Sequence, residues 1–272
     1  RGGSSPITRF IISFFVMVGA LMFLGCPFRT VLRLAGGDFN AIFGLLGFIC
    51  GIVAGIYFLN RGYSLKRSYQ QTRPEGLILP AIQLVFLALV LAAPAFIFFT
   101  KEGPGAKHAA VLISLLAGLL VGALAQHTRM CMVGGIRDFI LFREPKLLIG
   151  FCMIFVAALL ANLMSGHFHP GFADQPVAHT ESLWNFLGML LAGYGCCLLG
   201  GCPLRQMVMA GEGNTDSAVT YLGLFVGAAF AHNFALASSG KGSTPNGRIA
   251  VILGLVVVTV IAVSNTFNKK EA

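Results

Sequence analysis

Gly25-Cys26-Pro27-Phe28-Arg29 returns 176 residues later as Gly201-Cys202-Pro203-Leu204-Arg205, and each copy interrupts an apolar run of membrane length. In lipid, backbone that leaves the helix must find hydrogen-bond partners in protein or water, so such a break lines a cavity. The first run, Phe10 to Leu24, offers about 22 Å of helix at the standard rise, less than a hydrocarbon core of roughly 30 Å. Cys26 is therefore expected below the membrane surface. Pro27 lacks an N–H that a first helical position does not need, so a short half-helix is expected from there to Gly36-Gly37. The second copy reads the same way: Gly200-Gly201 breaks the helix, Cys202 caps the next one, Pro203 starts it, and Gly211 or Gly213 ends it.

Outward from these breaks the chain is apolar nearly throughout. Of its 272 residues 56% are hydrophobic and only 11% charged, with a mean hydropathy of +0.82. A soluble domain of this size could not cover so much apolar surface. Runs near 10–24, 39–59, 77–99, 109–125, 147–164, 183–199, 217–238 and 249–264 predict an all-α integral membrane protein of about eight crossings plus short half-helices.

The net charge of +9 sits in short connections and not on one amphipathic element, which argues against nucleic acid and reports orientation. With Arg61, Lys66, Arg67 and Arg73 placed inside, 13 of the 19 Lys and Arg residues fall on the inner side. Arg29, Arg33, Lys101, Lys107, Lys241 and Arg248 then fall outside. The first and sixth crossings are antiparallel under this count, so the two Gly-Cys-Pro elements enter from opposite sides. The repeat is inverted, with a first repeat over 1–105 and a second over 106–272.

A third break follows the fourth crossing, where Gln126-His127-Thr128-Arg129-Met130-Cys131-Met132 leads into Gly134-Gly135-Ile136-Arg137-Asp138. The counterpart of Cys131 in the first repeat would precede Arg1. The chain also opens on Arg-Gly-Gly-Ser-Ser-Pro with neither an initiator Met nor a signal peptide, so it reads as lacking the N-terminal part of repeat 1.

The seven cysteines form no extracellular disulfide pattern and are read as free thiols. A cysteine at a half-helix N-terminus faces unpaired backbone N–H groups and the positive end of the helix dipole, which favour an anion. Its thiol gives a weak hydrogen bond and a polarisable contact suited to sulphur or selenium. Cys26, Cys131 and Cys202, with Gly25, Gly201, Pro27 and Pro203 around them, are the expected substrate path. Arg29, Arg137 and Arg205 are candidate vestibule contacts for anions, against interfacial snorkelling, and Asp138 is read as an ion-pair or capping partner for Arg137. Cys50 and Cys152, inside spans, are expected to pack as small hydrophobes, and of Cys196 and Cys197 at most one should face the path. His167, His169 and His179 read as ordinary loop histidines, since their spacing is not that of a metal site. Gly44 to Gly55 and Gly118 to Gly122 precede no strand and are expected to permit close helix packing. No nucleotide motif, Ser-His-Asp set or carboxylate pair is assembled, so neither an enzyme nor a cofactor is expected.

At Phe23 to Arg29, Gln126 to Asp138, and Gly193-Tyr194-Gly195 running into Gly200 to Arg205, the chain resembles the YeeE/YedE family of sulphur-transport repeat membrane proteins, most closely the branch described as selenium transporters. The resemblance implies uptake, at the cell inner membrane, of a small selenium- or sulphur-containing compound such as a thiosulfate-like anion. It also implies an hourglass-shaped path bearing Cys26, Cys131 and Cys202, with a soluble selenium- or sulphur-handling protein as a further partner. The competing reading is a membrane thiol oxidoreductase or chalcogen-transfer subunit. The absence of a Cys-x-x-Cys pair counts against it.

Overall fold

The computed structural model describes residues 4–65, 73–92 and 109–267. Among them the chain is helical: α1 (Pro6–Phe23), α2 (Pro27–Ala35), α3 (Asn40–Asn60), α4 (Arg73–Ala92), α5 (Val111–Thr128), α6 (Met132–Phe142), α7 (Lys146–Met164), α8 (Ser182–Leu199), α9 (Pro203–Gly211), α10 (Thr215–Asn233) and α11 (Pro245–Phe267). Every expected crossing has its helix, although residues 93–99 of the third, and the boundary at 105, lie outside the described residues. Among the described residues seven segments are long and apolar enough to span a membrane. The expected crossing not among them is the seventh, α10, which opens on Thr215, Asp216 and Ser217 and closes on His232 and Asn233, so its apolar stretch is shorter.

The inverted repeat is visible contact by contact. In the centre α1 crosses α8 antiparallel, with Gly19 against the backbone of Gly188 and Gly195 against Ile12. Adding 176 to one member of each pair and subtracting it from the other exchanges these contacts. Beside them α3 runs parallel to α8, Gly47 lying on the carbonyl of Phe186 and Gly51 on that of Leu190. The same offset carries these pairs onto Gly223 over the Phe10 carbonyl and Gly227 over the Phe14 carbonyl, where α10 runs beside α1. Two like units in opposite orientation are thus related by an axis lying across the helices. Small residues let the backbones approach, which in lipid supplies the packing that the hydrophobic effect does not.

The two breaks share one backbone. Leu24 and Gly200 both adopt the left-handed conformation, at φ 64° and 81°. The N–H of Gly25 returns to the Ala20 carbonyl at 2.9 Å, and that of Gly201 to the Cys196 carbonyl at 3.0 Å. Such caps satisfy carbonyls that the ended helix orphans. The carbonyls beyond them find side chains: Arg33 Nη1 donates to Phe23 O at 2.7 Å, and Gln206 Nε2 donates to the equivalent Leu199 O at 3.2 Å. The irregular backbone is therefore solvated by protein, as a break at membrane depth requires.

The units are not equally covered. Gly254 of α11 sits against Phe15 and Leu191 in the core, whereas α4, α5 and α7 turn most side chains outward. The expectation that Gly118 and Gly122 serve helix packing is not met among the described residues, none of which lies within 4 Å of a Cβ at either. Cys50 and Cys152 are likewise exposed on their helices and do not pack inside the bundle. An apolar run does not reveal which of its faces meets protein.

Candidate functional site

All three expected thiols are N-cap residues of the re-entrant helices, Cys26 on α2, Cys131 on α6 and Cys202 on α9. Pro27 and Pro203 occupy the first helical positions as the sequence demands. The N-cap geometry of Cys26 (φ −80°, ψ 167°) nearly repeats at Cys202 (φ −71°, ψ 163°). Cys131 caps differently: its sulphur accepts the N–H of Gly134 at 3.3 Å.

The three breaks converge. The thiols of Cys131 and Cys202 lie close together. Cys196, wholly buried on α8, lies within electrostatic reach of Cys26, Cys131 and Cys202, and so joins the path residues through a common neighbour. Cys197 turns the other way, against Gly55 of α3 and towards Arg137 and Cys131. Adjacent residues cannot share a helix face: Cys196 is within reach of all three caps, Cys197 of Cys131.

A cavity of about 1010 Å³ opens onto this region. Gly25, Cys26 and Arg29 of the first break line it, and Pro203 of the second lies on its wall, so one space runs between the two Gly-Cys-Pro elements. Its sides along α1 are apolar, with Met17, Leu21 and Leu24. Cys26 is half-buried at this space, whereas Cys131 and Cys202 are 7% and 3% exposed and lie beyond it. Gly201 stands next to Gln206 and Arg205 at the second break.

The arginines differ from one another. Arg29 is exposed and lines the cavity. Arg137 is paired with Asp138 at 2.9 Å, as its sequence neighbour suggests, and remains close to Cys131 and Cys197. Arg205 reaches Glu212 at 3.8 Å and the Gln126 side chain at 3.5 Å, which ties α9 to the end of α5.

A profile described as sulphur transport matches residues 127–268, slightly more than half of the chain. The chain belongs to the sulphur transport family. No curated protein matches it. The matched stretch includes Cys131, Cys196, Cys197 and Cys202, and the unmatched first unit supplies Cys26 through the inverted repeat. A multi-pass membrane protein with a sulphur transport role is what membership and fold together establish.

His179 was missed by sequence reasoning, and it is structural. Only 1% exposed, it places Nε2 at 2.8 Å from the Met22 carbonyl, next to the first break. Asn185 in turn donates to the His179 carbonyl at 3.0 Å. His179 does lie in the connection between α7 and α8 as expected, and what sequence reasoning missed is its burial; a His in a polar loop gives no signal of the carbonyl it will meet.

Proposed function

We propose that this family member moves a small selenium- or sulphur-containing compound, a selenium species or a thiosulfate-like anion, inward across the cell inner membrane. The repeat over 1–105 supplies one helix-break thiol, Cys26, and that over 106–272 supplies two, Cys131 and Cys202. The observation that carries the reading is the convergence of three N-cap thiols from three re-entrant helices beside a cavity reaching the first of them. In this path the substrate enters by Arg29, meets Cys26, and passes Cys196 to the Cys131–Cys202 pair. Thiols hold sulphur or selenium weakly enough to let it go, the general condition for conduction. Helix N-termini attract the anion without a lysine buried at the break.

The test is labelled uptake of thiosulfate and selenite by cells bearing the wild type or Cys→Ala at 26, 131 or 202. Each substitution should depress uptake. Normal rates in all three would remove the path. Impermeant thiol reagents should label Cys26 from outside, and Cys202, where reached, from inside.

A second reading is favoured by the contact between Cys131 and Cys202. As a membrane thiol oxidoreductase the pair would close to a disulfide, passing two electrons and two protons to a soluble acceptor protein. Uptake into liposomes holding this chain alone separates the readings, because an oxidoreductase without its acceptor moves no labelled substrate.

A further inference from the structure

The line of thiols ends at Cys131 and Cys202, both buried, which leaves the way from there to the inner face unaccounted for. Cys197 turns from the caps towards a buried polar group that the path does not use. The N–H of Tyr63 returns to the Phe58 carbonyl at 3.0 Å and closes the turn after α3. The Phe58 ring in turn lies 5.9 Å from the ring of Tyr194 on α8. One residue thus sets the two tyrosines beside each other, and Tyr63 is within electrostatic reach of both Tyr194 and Cys197. Ser5 Oγ donates to the Leu65 carbonyl at 3.0 Å and ties this connection to the start of α1. By the charge distribution of the connections it lies on the inner side.

Both phenols are buried, Tyr63 at 6% and Tyr194 at 3% exposure, and neither hydroxyl has a hydrogen-bond partner among the described residues. Thr259 comes near Tyr194 but gives its proton to the Leu255 carbonyl at 2.7 Å. A buried hydroxyl without an acceptor is costly, so two of them in one place call for a group that accepts from both. Two guanidinium groups stand close by, Arg9 in reach of Tyr63 and Arg137 in reach of Cys197. Each already holds one carboxylate, Asp216 at 3.3 Å and Asp138 at 2.9 Å. The group therefore offers O–H donors and a soft sulphur together.

The repeat sets the same positions on the outer route. An offset of 176 carries Cys197 onto Leu21 and Tyr63 onto Ser239, and both of those line the cavity at Cys26. In an inverted repeat, positions that line the way in on one side line the way out on the other. The inner half is closed in this structure, Cys197 being 1% exposed, with a phenol where the outer half carries a serine.

We propose that Tyr63 and Tyr194, with Cys197, form an exit station on the inner half, in which the phenol hydroxyls donate to the oxygens of an anion and Cys197 meets its soft sulphur or selenium. The station rests on the transport reading and adds to it the substrate class, an oxyanion with a terminal chalcogen. It admits the anion from the Cys131–Cys202 pair when the connection after α3 carries the Tyr63 ring aside.

Uptake of labelled thiosulfate is measured in vesicles holding the wild type, Tyr63→Phe, Tyr194→Phe, Tyr63→Ala or Cys202→Ala. Tyr→Phe removes the hydroxyl and keeps the ring, so each such variant should lower kcat about three- to tenfold. Their melting temperatures should equal or exceed that of the wild type, because a buried oxygen without a partner is gone. The proposal is overturned if both Phe variants transport as the wild type does while Cys202→Ala is impaired, which leaves transport standing with the phenols off the route. It is equally overturned if Tyr63→Phe is normal and Tyr63→Ala speeds uptake, which makes the ring a bulky closure and not a ligand. A Phe variant that loses uptake and also melts well below the wild type overturns it too, by assigning that hydroxyl to the fold. If the wild type takes up no label, the transport reading itself fails and the station with it.

Discussion

The thiols of Cys131 and Cys202 meet although 71 residues separate them in the chain, because two helix breaks of different kinds point their caps at one spot. Cys131 follows α5, which otherwise faces outward, and Cys202 follows the most enclosed helix, α8. A chain that spent two re-entrant segments on this meeting gains from it either a ligand clasp or a redox pair. Oxidation distinguishes how the pair is used.

Treatment with diamide should join Cys131 to Cys202, the two thiols giving up two electrons and two protons as the reagent is reduced. Uptake should stop and return with dithiothreitol, and Cys131→Ala or Cys202→Ala should escape this reversible block. Peptide mass spectrometry would identify the crosslink. Full uptake by protein shown to carry it would mean that the pair stands off the route.

The glycines divide sharply by what they touch. A methyl group at Gly47 or Gly51 would run into the Phe186 or Leu190 carbonyl, which are backbone atoms and cannot swing away. Gly47→Ala and Gly51→Ala should each cost about 1–3 kcal/mol through forced separation of α3 from α8. Gly118→Ala, with open space around it, should be neutral or stabilising by up to about 1 kcal/mol from helix propensity. Thermal melting in detergent would rank the three, and equal losses at Gly51 and Gly118 would contradict the packing described.

The break residues were legible because the same five-residue pattern recurs where apolar runs stop, and Cys26, Pro27, Cys202 and Pro203 occupy the positions that pattern predicts, while Cys131 caps a third break read from its own local sequence. What the sequence could not carry was azimuth. Cys50, Cys152, Gly118 and Gly122 sit in runs that look alike from every side, so their outward orientation was hidden. Cys196 and Cys197 differ only by the turn of α8 between them. Lys241 was counted for topology, but a cavity formed with Arg29 across some 200 residues of sequence leaves no local signature.

Arg33 and Asp38 hold the end of α2. Their 2.7 Å ion pair is buried, and Arg33 also donates to the Phe23 carbonyl and lies 4.1 Å over the Phe23 ring. Asp38 accepts from both the backbone N–H and the side-chain amide of Asn40. Removing one partner of a buried pair leaves the other charge uncompensated, typically at about 3–5 kcal/mol. Asp38→Ala should therefore lower the melting temperature sharply. The double variant Arg33→Met with Asp38→Ala should lose less than the sum of the single variants, and strict additivity in that cycle would refute the coupling.

His179 makes the connection before α8 sensitive to acid. Burial lowers its pKa below the ordinary value, outweighing the Met22 carbonyl and the carboxylates of Glu181 and Asp38, which favour the charged ring. Its Nε2–H donates to Met22 O while Nδ1 is buried with no partner among the described residues, so a second proton would be placed on an atom that none of them receives. The folded state therefore prefers the neutral ring and the unfolded state takes the proton first. Stability is full above the unfolded value of about 6.5 and declines as pH falls from there towards the lower folded value. Melting temperatures between pH 8 and pH 5 should show this loss for the wild type. His179→Gln keeps an N–H for Met22 but cannot titrate, and it should flatten the curve in that interval even if its plateau is lower. An unchanged slope in that variant would assign the acid sensitivity to other groups.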